Sequence, residues 1–231
     1  MDLVDFHAHI IPKADHGSDS VSTTTAQLEL AKKYGVSRIV ATPHFYPQRT
    51  DVASFIAKRQ RGYEALTANI GEDAPKIMLG AEVLYCENLE NLPMLDKLCL
   101  GNSKILLLEL PFSEFDRGIL KTINRLIDDG FDVLLAHADR YPEMDINRLL
   151  SADVKIQLNA ASLNTLFKNK QLYEWIDSGR VVALGSDIHK VDEKAYKSFQ
   201  KAQKKIAPYL ETLIKESDAM WRSMSRDFAI N

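Results

Sequence analysis

The chain has 231 residues, with 29 basic and 32 acidic side chains and a formal charge of −3. That near balance offers no broad cationic surface for a nucleic acid. A 45% apolar content lets residues 1–231 bury a sizeable core as a single domain. Two cysteines, Cys86 and Cys99, form no CxxC pair and suit a reducing, cytoplasmic setting. No basic leader and no apolar run of about 18 residues is present, so no secretory signal and no transmembrane segment are expected.

Strand-like runs recur at Leu3–Phe6, Arg38–Ala41, Lys76–Ala81, Lys104–Leu110, Asp132–Ala136, Val154–Leu158 and Val181–Leu184. Most are nearly continuous in apolar residues, the pattern of strands covered on both faces. Helical patterns fill the intervals. The first, Thr23–Tyr34, follows the capping cluster Ser18-Asp19-Ser20 and stops at Gly35. Others are expected over Asp51–Asn69, Phe115–Asp129, Asp145–Leu150, Ser162–Ser178, Lys190–Ala207 and Tyr209–Phe228. Alternation of strand and helix predicts an α/β fold with parallel strands. GxGxxG and GxxxxGK[ST] fingerprints are absent. An open sheet and a closed barrel both fit the alternation. Polar residues lie at or just past the C-terminal ends of successive strands, and a barrel brings those ends to one mouth.

The histidines follow that rule. His7 and His9 stand at i and i+2 around the end of the first strand, so their side chains share a face. His16, His44, His137 and His189 fall at later strand ends or in the loops beyond. Glu82, Glu109 and Asp187 end or interrupt apolar strands, where a carboxylate is costly unless paired or bound to metal. Together His7, His9, His16, His44, Glu82, Glu109, His137, Asp187 and His189 are more groups than one ion needs, so two or three divalent ions are expected. Mixed imidazole and carboxylate donors suit Mn, Fe or Zn better than Mg or Ca.

A multinuclear centre of this kind performs hydrolysis, and phosphoryl transfer adds a need for a cation over the phosphate oxygens. Arg140, three residues past His137, is the first candidate for that cation, ahead of Arg49 and Lys190. Asp187 and His44 are candidate proton relays. Tyr46, Phe45 and Tyr141 are candidate walls for a flat leaving group, with ordinary loop packing as the alternative. A cysteine route is disfavoured. It needs an arginine six residues after the thiol, where Cys86 has Leu92 and Cys99 has Ile105.

The stretches Asp5-Phe6-His7-Ala8-His9-Ile10-Ile11-Pro12, Asp15-His16-Gly17-Ser18, Ala41-Thr42-Pro43-His44, Gly80-Ala81-Glu82-Val83, His137-Ala138-Asp139-Arg140-Tyr141, Gln157-Leu158-Asn159-Ala160 and Ser186-Asp187-Ile188-His189 carry a resemblance. As a set they resemble the polymerase and histidinol phosphatase family of metal-dependent enzymes. The nearer likeness is to its bacterial manganese-dependent tyrosine-protein phosphatase branch, regulators of capsule and exopolysaccharide synthesis. That resemblance implies a distorted seven-stranded (βα)7 TIM-like barrel with three metals. It implies that His7, His9, Glu82 and Asp187 hold one ion, and that Glu82, Glu109 and His137 hold a second. His16, His44 and His189 would hold the third, with Arg140 on the phosphate and Arg49 and Tyr46 near the substrate. The branch commonly has aspartate where this chain has His16. Its substrates imply a phosphotyrosyl protein as partner, the tail of a membrane-associated bacterial tyrosine kinase. Two alternatives stand beside this reading: a small-molecule phosphomonoesterase such as a histidinol phosphatase, and a non-catalytic metal-binding subunit. Trp221-Arg222-Ser223-Met224 has an apolar side that suits either the barrel or an oligomeric contact.

Overall fold

A computed structural model describes residues 3–112, 117–164 and 170–225. The strands are β1 (Leu3–Ala8), β2 (Val36–Ala41), β3 (His44–Phe45), β4 (Lys76–Leu79), β5 (Glu82–Leu84), β6 (Ile105–Glu109), β7 (Asp132–Leu135), β8 (Lys155–Asn159) and β9 (Val181–Gly185). The helices are α1 (Val21–Lys33), α2 (Val52–Thr67), α3 (Arg117–Asp128), α4 (Glu143–Leu149), α5 (Lys170–Asp177), α6 (Glu193–Lys205) and α7 (Leu210–Met224). Strands pair in two parallel sheets, β1-β2-β4 and β3-β5-β6-β7-β8-β9. The α/β class and the parallel pairing are as the sequence predicts.

One strand expectation needs correction, and one further strand is present. The run Lys76–Ala81 is not one strand that closes at Glu82. It breaks at Gly80-Ala81, and the chain resumes as β5 beginning with Glu82 itself. β2 stops at Ala41 as expected, and after Thr42-Pro43 the chain forms a further short strand, β3, at His44. Proline has no N–H for a ladder, which accounts for the second break. At Gly80 a β-carbon would lie 2.5 Å from Leu100 Cδ2, so a side chain there would displace the buried Leu100. These breaks move His44 and Glu82 into direct register with each other, Cα opposite Cα.

Helix boundaries follow local chemistry. The Ser20 hydroxyl accepts from Thr23 N–H to start α1, and Asp51 accepts from Ser54 N–H at 2.8 Å to start α2. Gly35 takes φ +81 after α1, a left-handed conformation that glycine adopts without strain. The long helix expected over Ser162–Ser178 is a 3-10 turn at Ser162–Asn164 and then α5, with residues 165–169 outside the described set. Phe115 and Phe228, at the ends of two other expected helices, also lie outside it.

The core has two parts. The larger lies between the strands and the surrounding helices and includes Ile39, Phe45, Leu66, Leu106, Leu108, Ile123, Ile156 and Phe199. The smaller includes Val4, Phe6, Val40, Leu107, Leu134, Ala136, Ala183 and Met224, with Met220 and Trp221 packed against it. Helix α7 therefore spends its apolar side on this molecule's own strands, the first of the two uses its sequence suits. The Ser217 hydroxyl donates to Val182 C=O at 3.0 Å, and Arg38 pairs with Asp218 at 2.6 Å to fix it there.

First and last strands are neighbours. Asp187 N–H donates to His7 C=O at 2.8 Å, His9 N–H donates to Ile188 C=O at 3.0 Å, and Ala8 and Ile188 form a parallel bridge. Asp5 joins them from the side, its buried carboxylate accepting from Ser186 N–H at 2.9 Å and His7 N–H at 3.2 Å.

Candidate metal centre

The C-terminal ends of the strands converge on a buried polar cluster with Glu82 at its middle. Glu82 is fully buried. Its Oε1 accepts from His137 Nε2 at 2.8 Å. Its Oε2 lies 2.9 Å from His44 Nδ1, 3.1 Å from His7 Nε2 and 3.2 Å from His9 Nε2. Yet Glu82 Oε2 and His44 Nδ1 have no hydrogen-bond partner, and neither do the buried Glu109 Oε2 and His137 Nδ1. Three imidazole nitrogens thus surround one carboxylate oxygen at the right distance and in the wrong orientation to hydrogen-bond to it. Ring nitrogens also face one another, His7 Nε2 to His9 Nε2 at 3.1 Å and His44 Nε2 to His189 Nε2 at 3.3 Å.

Buried polar atoms left without partners are expensive unless a cation completes them. Among the described residues, three groups have ligand atoms that all lie within 4.8 Å of one another: His7-His9-Glu82, His44-Glu82-Glu109 and His9-His44-His189. Oxygen and imidazole donors of this mixture fit divalent transition ions. The residues present therefore fit such a group.

Asp187 adds a second carboxylate. Its Oδ1 lies 3.4 Å from His9 Nε2, 3.5 Å from His189 Nδ1 and 3.7 Å from His7 Nε2. Its Oδ2 is ion-paired with Arg140 and accepts from Asn159 Nδ2 at 3.3 Å. Glu109 lies 3.6 Å from His44 and 3.9 Å from His137. His16 is exposed, with its ring centre 4.8 Å from that of His44 and 4.7 Å from that of His189. All nine expected ligand positions therefore gather at one place. The tightest groupings put His44 beside Glu82 and Glu109, and His9 beside His44 and His189, whereas the resemblance used His137 and His16.

Residues around these fix their orientation. His9 Nδ1 lies 2.6 Å from Asp15 Oδ2, which also accepts from His44 N–H at 2.9 Å. His7 Nδ1 lies 3.0 Å from Gln157 Oε1, which accepts from His137 N–H at 2.7 Å. An imidazole whose far nitrogen is held by an acceptor presents its other nitrogen to a metal. Neither Asp15 nor Gln157 was singled out from sequence as a site residue. The Asp15-His16-Gly17 stretch was the available signal for the first. For the second it was a polar side chain set between Ile156 and Leu158 in β8.

Close packing leaves this geometry little freedom. A β-carbon on Gly17 would meet His9 Cβ at 2.5 Å, and one on Gly185 would meet His7 Cβ at 2.6 Å. His137 and Asp187 take φ of +33 and +54, a conformation non-glycine residues rarely hold.

The electrostatics match the crowding. Burial opposes charge on His9, but Asp15, Asp187 and Glu82 outweigh it and carry the imidazole well above its usual range. Burial likewise works against His44, and the Glu109 and Glu82 carboxylates raise it to about 9. His189 moves the other way, to about 4, through burial and the nearby charge of His9. Although burial would raise Asp15 and Asp187, their histidine partners hold both carboxyls far below the usual range.

The rim residues divide. Arg140 reaches Asp187 and is half exposed. Arg49 is exposed and lies over the Tyr46 ring at 4.9 Å, and Tyr46 in turn stacks on His44 at 5.1 Å. Phe45 is no wall of a pocket. It is completely buried and packs edge-on against Phe55, because strand alternation sends it opposite to its neighbour His44. Cys86 and Cys99 are free thiols, and neither belongs to a candidate metal group.

The family model for capsular polysaccharide synthesis, CpsB/CapC, matches residues 3–216. The chain belongs to the CpsB/CapC family. Similar curated proteins are tyrosine-protein phosphatases. YwqE of Bacillus subtilis is 25% identical over 205 residues, covering 84% of this chain and 80% of YwqE. CpsB of Streptococcus pneumoniae is 23% identical over 212 residues, covering 83% of this chain and 85% of CpsB. A solved structure from work on these two proteins, described as unique metal-dependent tyrosine phosphatases, superposes with a TM-score of 0.77 over 96% of this chain and 95% of that one. At 21% identity that likeness establishes the CpsB/YwqE fold for the chain. No helix among the described residues is long and apolar enough to cross a membrane.

Proposed function

We propose that this CpsB/CapC member is a metal-dependent protein-tyrosine phosphatase, with the Glu82 cluster as its active site. The observation that carries the reading is Glu82 Oε2, ringed by His7, His9 and His44 nitrogens and hydrogen-bonded to none of them. We assign His7, His9, Glu82 and Asp187 to one ion, Glu82, Glu109 and His137 to a second, and His16, His44 and His189 to a third, with manganese as the preferred metal. When bound, such ions supply Lewis acidity and a nucleophile at neutral pH.

The chain's own groups do the rest. Arg140 binds the phosphate oxygens as a cation clamp. Asp187 holds Arg140 through Oδ2 while its Oδ1 turns toward His7 and His9. The leaving tyrosyl oxygen needs little protonation, since a free phenol has a pKa of about 10. Arg49 and Tyr46, stacked together beside His44, contact the peptide around the phosphotyrosine.

This reading also treats residues 1–231 as one domain and the two sheets as one distorted seven-stranded TIM-like barrel. β2 with β3 and β4 with β5 would each count as one interrupted strand, and the Ala8–Ile188 bridge as the closing seam. The natural substrate is a phosphotyrosyl segment of a capsule-system tyrosine kinase. Free thiols suit a cytoplasmic location.

The test is hydrolysis of matched phosphotyrosyl and phosphoseryl peptides and of histidinol phosphate, with manganese and after chelation. Expected is manganese-dependent turnover of the phosphotyrosyl peptide, abolished by chelator and much reduced in Arg140→Ala. Efficient hydrolysis of histidinol phosphate alone would replace this reading with a small-molecule phosphatase. Full activity in the chelated enzyme would end it.

A further inference from the structure

Phe112 carries an observation the assigned site does not use. Its side chain is 68% exposed, although it borders the buried centre. The ring stacks on Tyr141 with centres 5.5 Å apart and planes 27° apart. It lies nearly parallel to the His137 ring, 14° off, at 6.3 Å. Tyr141 is anchored, because its hydroxyl accepts from Leu110 N–H at 3.0 Å and donates to Leu110 C=O at 3.2 Å. The same two hydrogen bonds fix the backbone two residues before Phe112. Arg140 N–H donates to His137 C=O at 2.9 Å, so metal-centre histidine, phosphate cation and aromatic backing belong to one tight turn.

An exposed phenyl ring costs free energy that an apolar partner would recover. Tyr46, the other aromatic beside the centre, already has His44 and Arg49 against its ring. In an aryl phosphate the ring is separated from phosphorus by a single ester oxygen. A phosphate held between Arg140 and the His137 side of the cluster therefore brings its ring to this rim. A phosphoserine offers only tetrahedral carbons at the same place and has no face to stack.

We propose that Phe112, backed by Tyr141, is an aryl subsite that receives the flat leaving group and separates aryl from alkyl phosphates. The subsite rests on the hydrolase reading for its biological use, and its own test is binding. Phenylphosphonate and methylphosphonate are titrated by calorimetry into manganese-loaded wild-type protein and into the Phe112→Ala and Phe112→Trp variants. Wild type prefers the phenyl compound. Phe112→Ala loses about 3- to 10-fold of that preference, the range expected for one aromatic stacking contact, and Phe112→Trp retains it. Because the side chain is mostly in water, both variants fold with an unchanged Tm.

An equal affinity of wild type for the two phosphonates would overturn the subsite. So would a Phe112→Ala variant that keeps the full preference, or a Phe112→Trp variant that loses it as completely as alanine does. With phosphotyrosyl and phosphoseryl peptides the same substitution raises KM for the former and lowers the ratio of their kcat/KM. A preference lost as expected in binding, in a wild-type enzyme that hydrolyses no phosphotyrosyl peptide, would leave the subsite standing and remove the hydrolase reading.

Discussion

The two ends of the strands solve opposite problems. At the N-terminal end, Val4, Ile105 and Val182 meet Met220, Trp221 and Met224, and stability comes from apolar area withdrawn from water. At the C-terminal end the same strands present His7, Glu109, His137 and Asp187, with orphaned nitrogen and oxygen atoms and two residues in left-handed backbone. One end is packed for its own sake. The other is held in an unfavourable state by the rest of the molecule, as functional sites commonly are.

Substitutions at the two ends should therefore separate activity from stability. The largest effect is expected from Glu82→Gln, which keeps the shape but removes the charge shared by four histidines. Turnover of a phosphotyrosyl peptide should fall by about 1,000-fold or more, with most of the bound metal lost. Retention of both would break the contrast, because the cluster would then be structural.

Met224→Ala probes the packed end. It should cost about 2–5 kcal/mol in denaturant unfolding while kcat/KM stays at the wild-type value. Saturating manganese acts on the other end alone. At 100 times its Kd each bound ion should stabilise the protein by about 2.7 kcal/mol, seen as a higher Tm and as slower amide exchange around His9 and Ile188 rather than along α7.

Asp15→Asn sharpens the picture within the polar end. It leaves His9 in place but weakens the acceptor at Nδ1, and metal affinity should drop about 10- to 100-fold with little change in unfolding midpoint. At neutral pH the smallest effect belongs to Cys99, whose buried thiol is pushed up to about 12 from 9.0. A thiol harder to ionise in the native state leaves stability intact below the unfolded value. Above pH 9 the unfolded chain loses the proton first, so stability falls by about 1.4 kcal/mol per pH unit until the native thiol also ionises near 12. Cys99→Ala should lack that component when unfolding is compared with wild type between pH 8 and 11.

Legibility in the sequence followed chain distance. Apolar runs ending in histidine or carboxylate are local signals, and they located the strands other than β3 and β5 together with most of the nine clustered donors. Helix α1 was readable from its capping cluster and from the glycine that ends it. What could not be read were contacts made only by folding. Gln157 reaches His7 across 150 positions, and no spacing rule connects them. Asp15 acts on His9 and His44 together through a loop whose shape depends on Gly17. The interruption at Gly80-Ala81 was hidden because apolar content continues through it. Phe45 was misplaced for the related reason that β3 was not recognised, so its alternation with His44 was not applied. Phe112 follows Pro111 in a loop with no periodic pattern, and its position over Tyr141 exists only once β6 and β7 lie side by side.

The seam between β1 and β9 sets an order of events at the ribosome. Ser186 donates its hydroxyl to His7 C=O across 179 positions, so the first histidines emerge long before the strand that completes their surroundings. Until that strand arrives, His7 and His9 have no Asp187 beside them. Completion of the polar cluster therefore waits for β9 to be made, and such distant pairing predicts slow closure. Premature release at any point before Asp187 would yield a protein with most of its histidines and no finished centre.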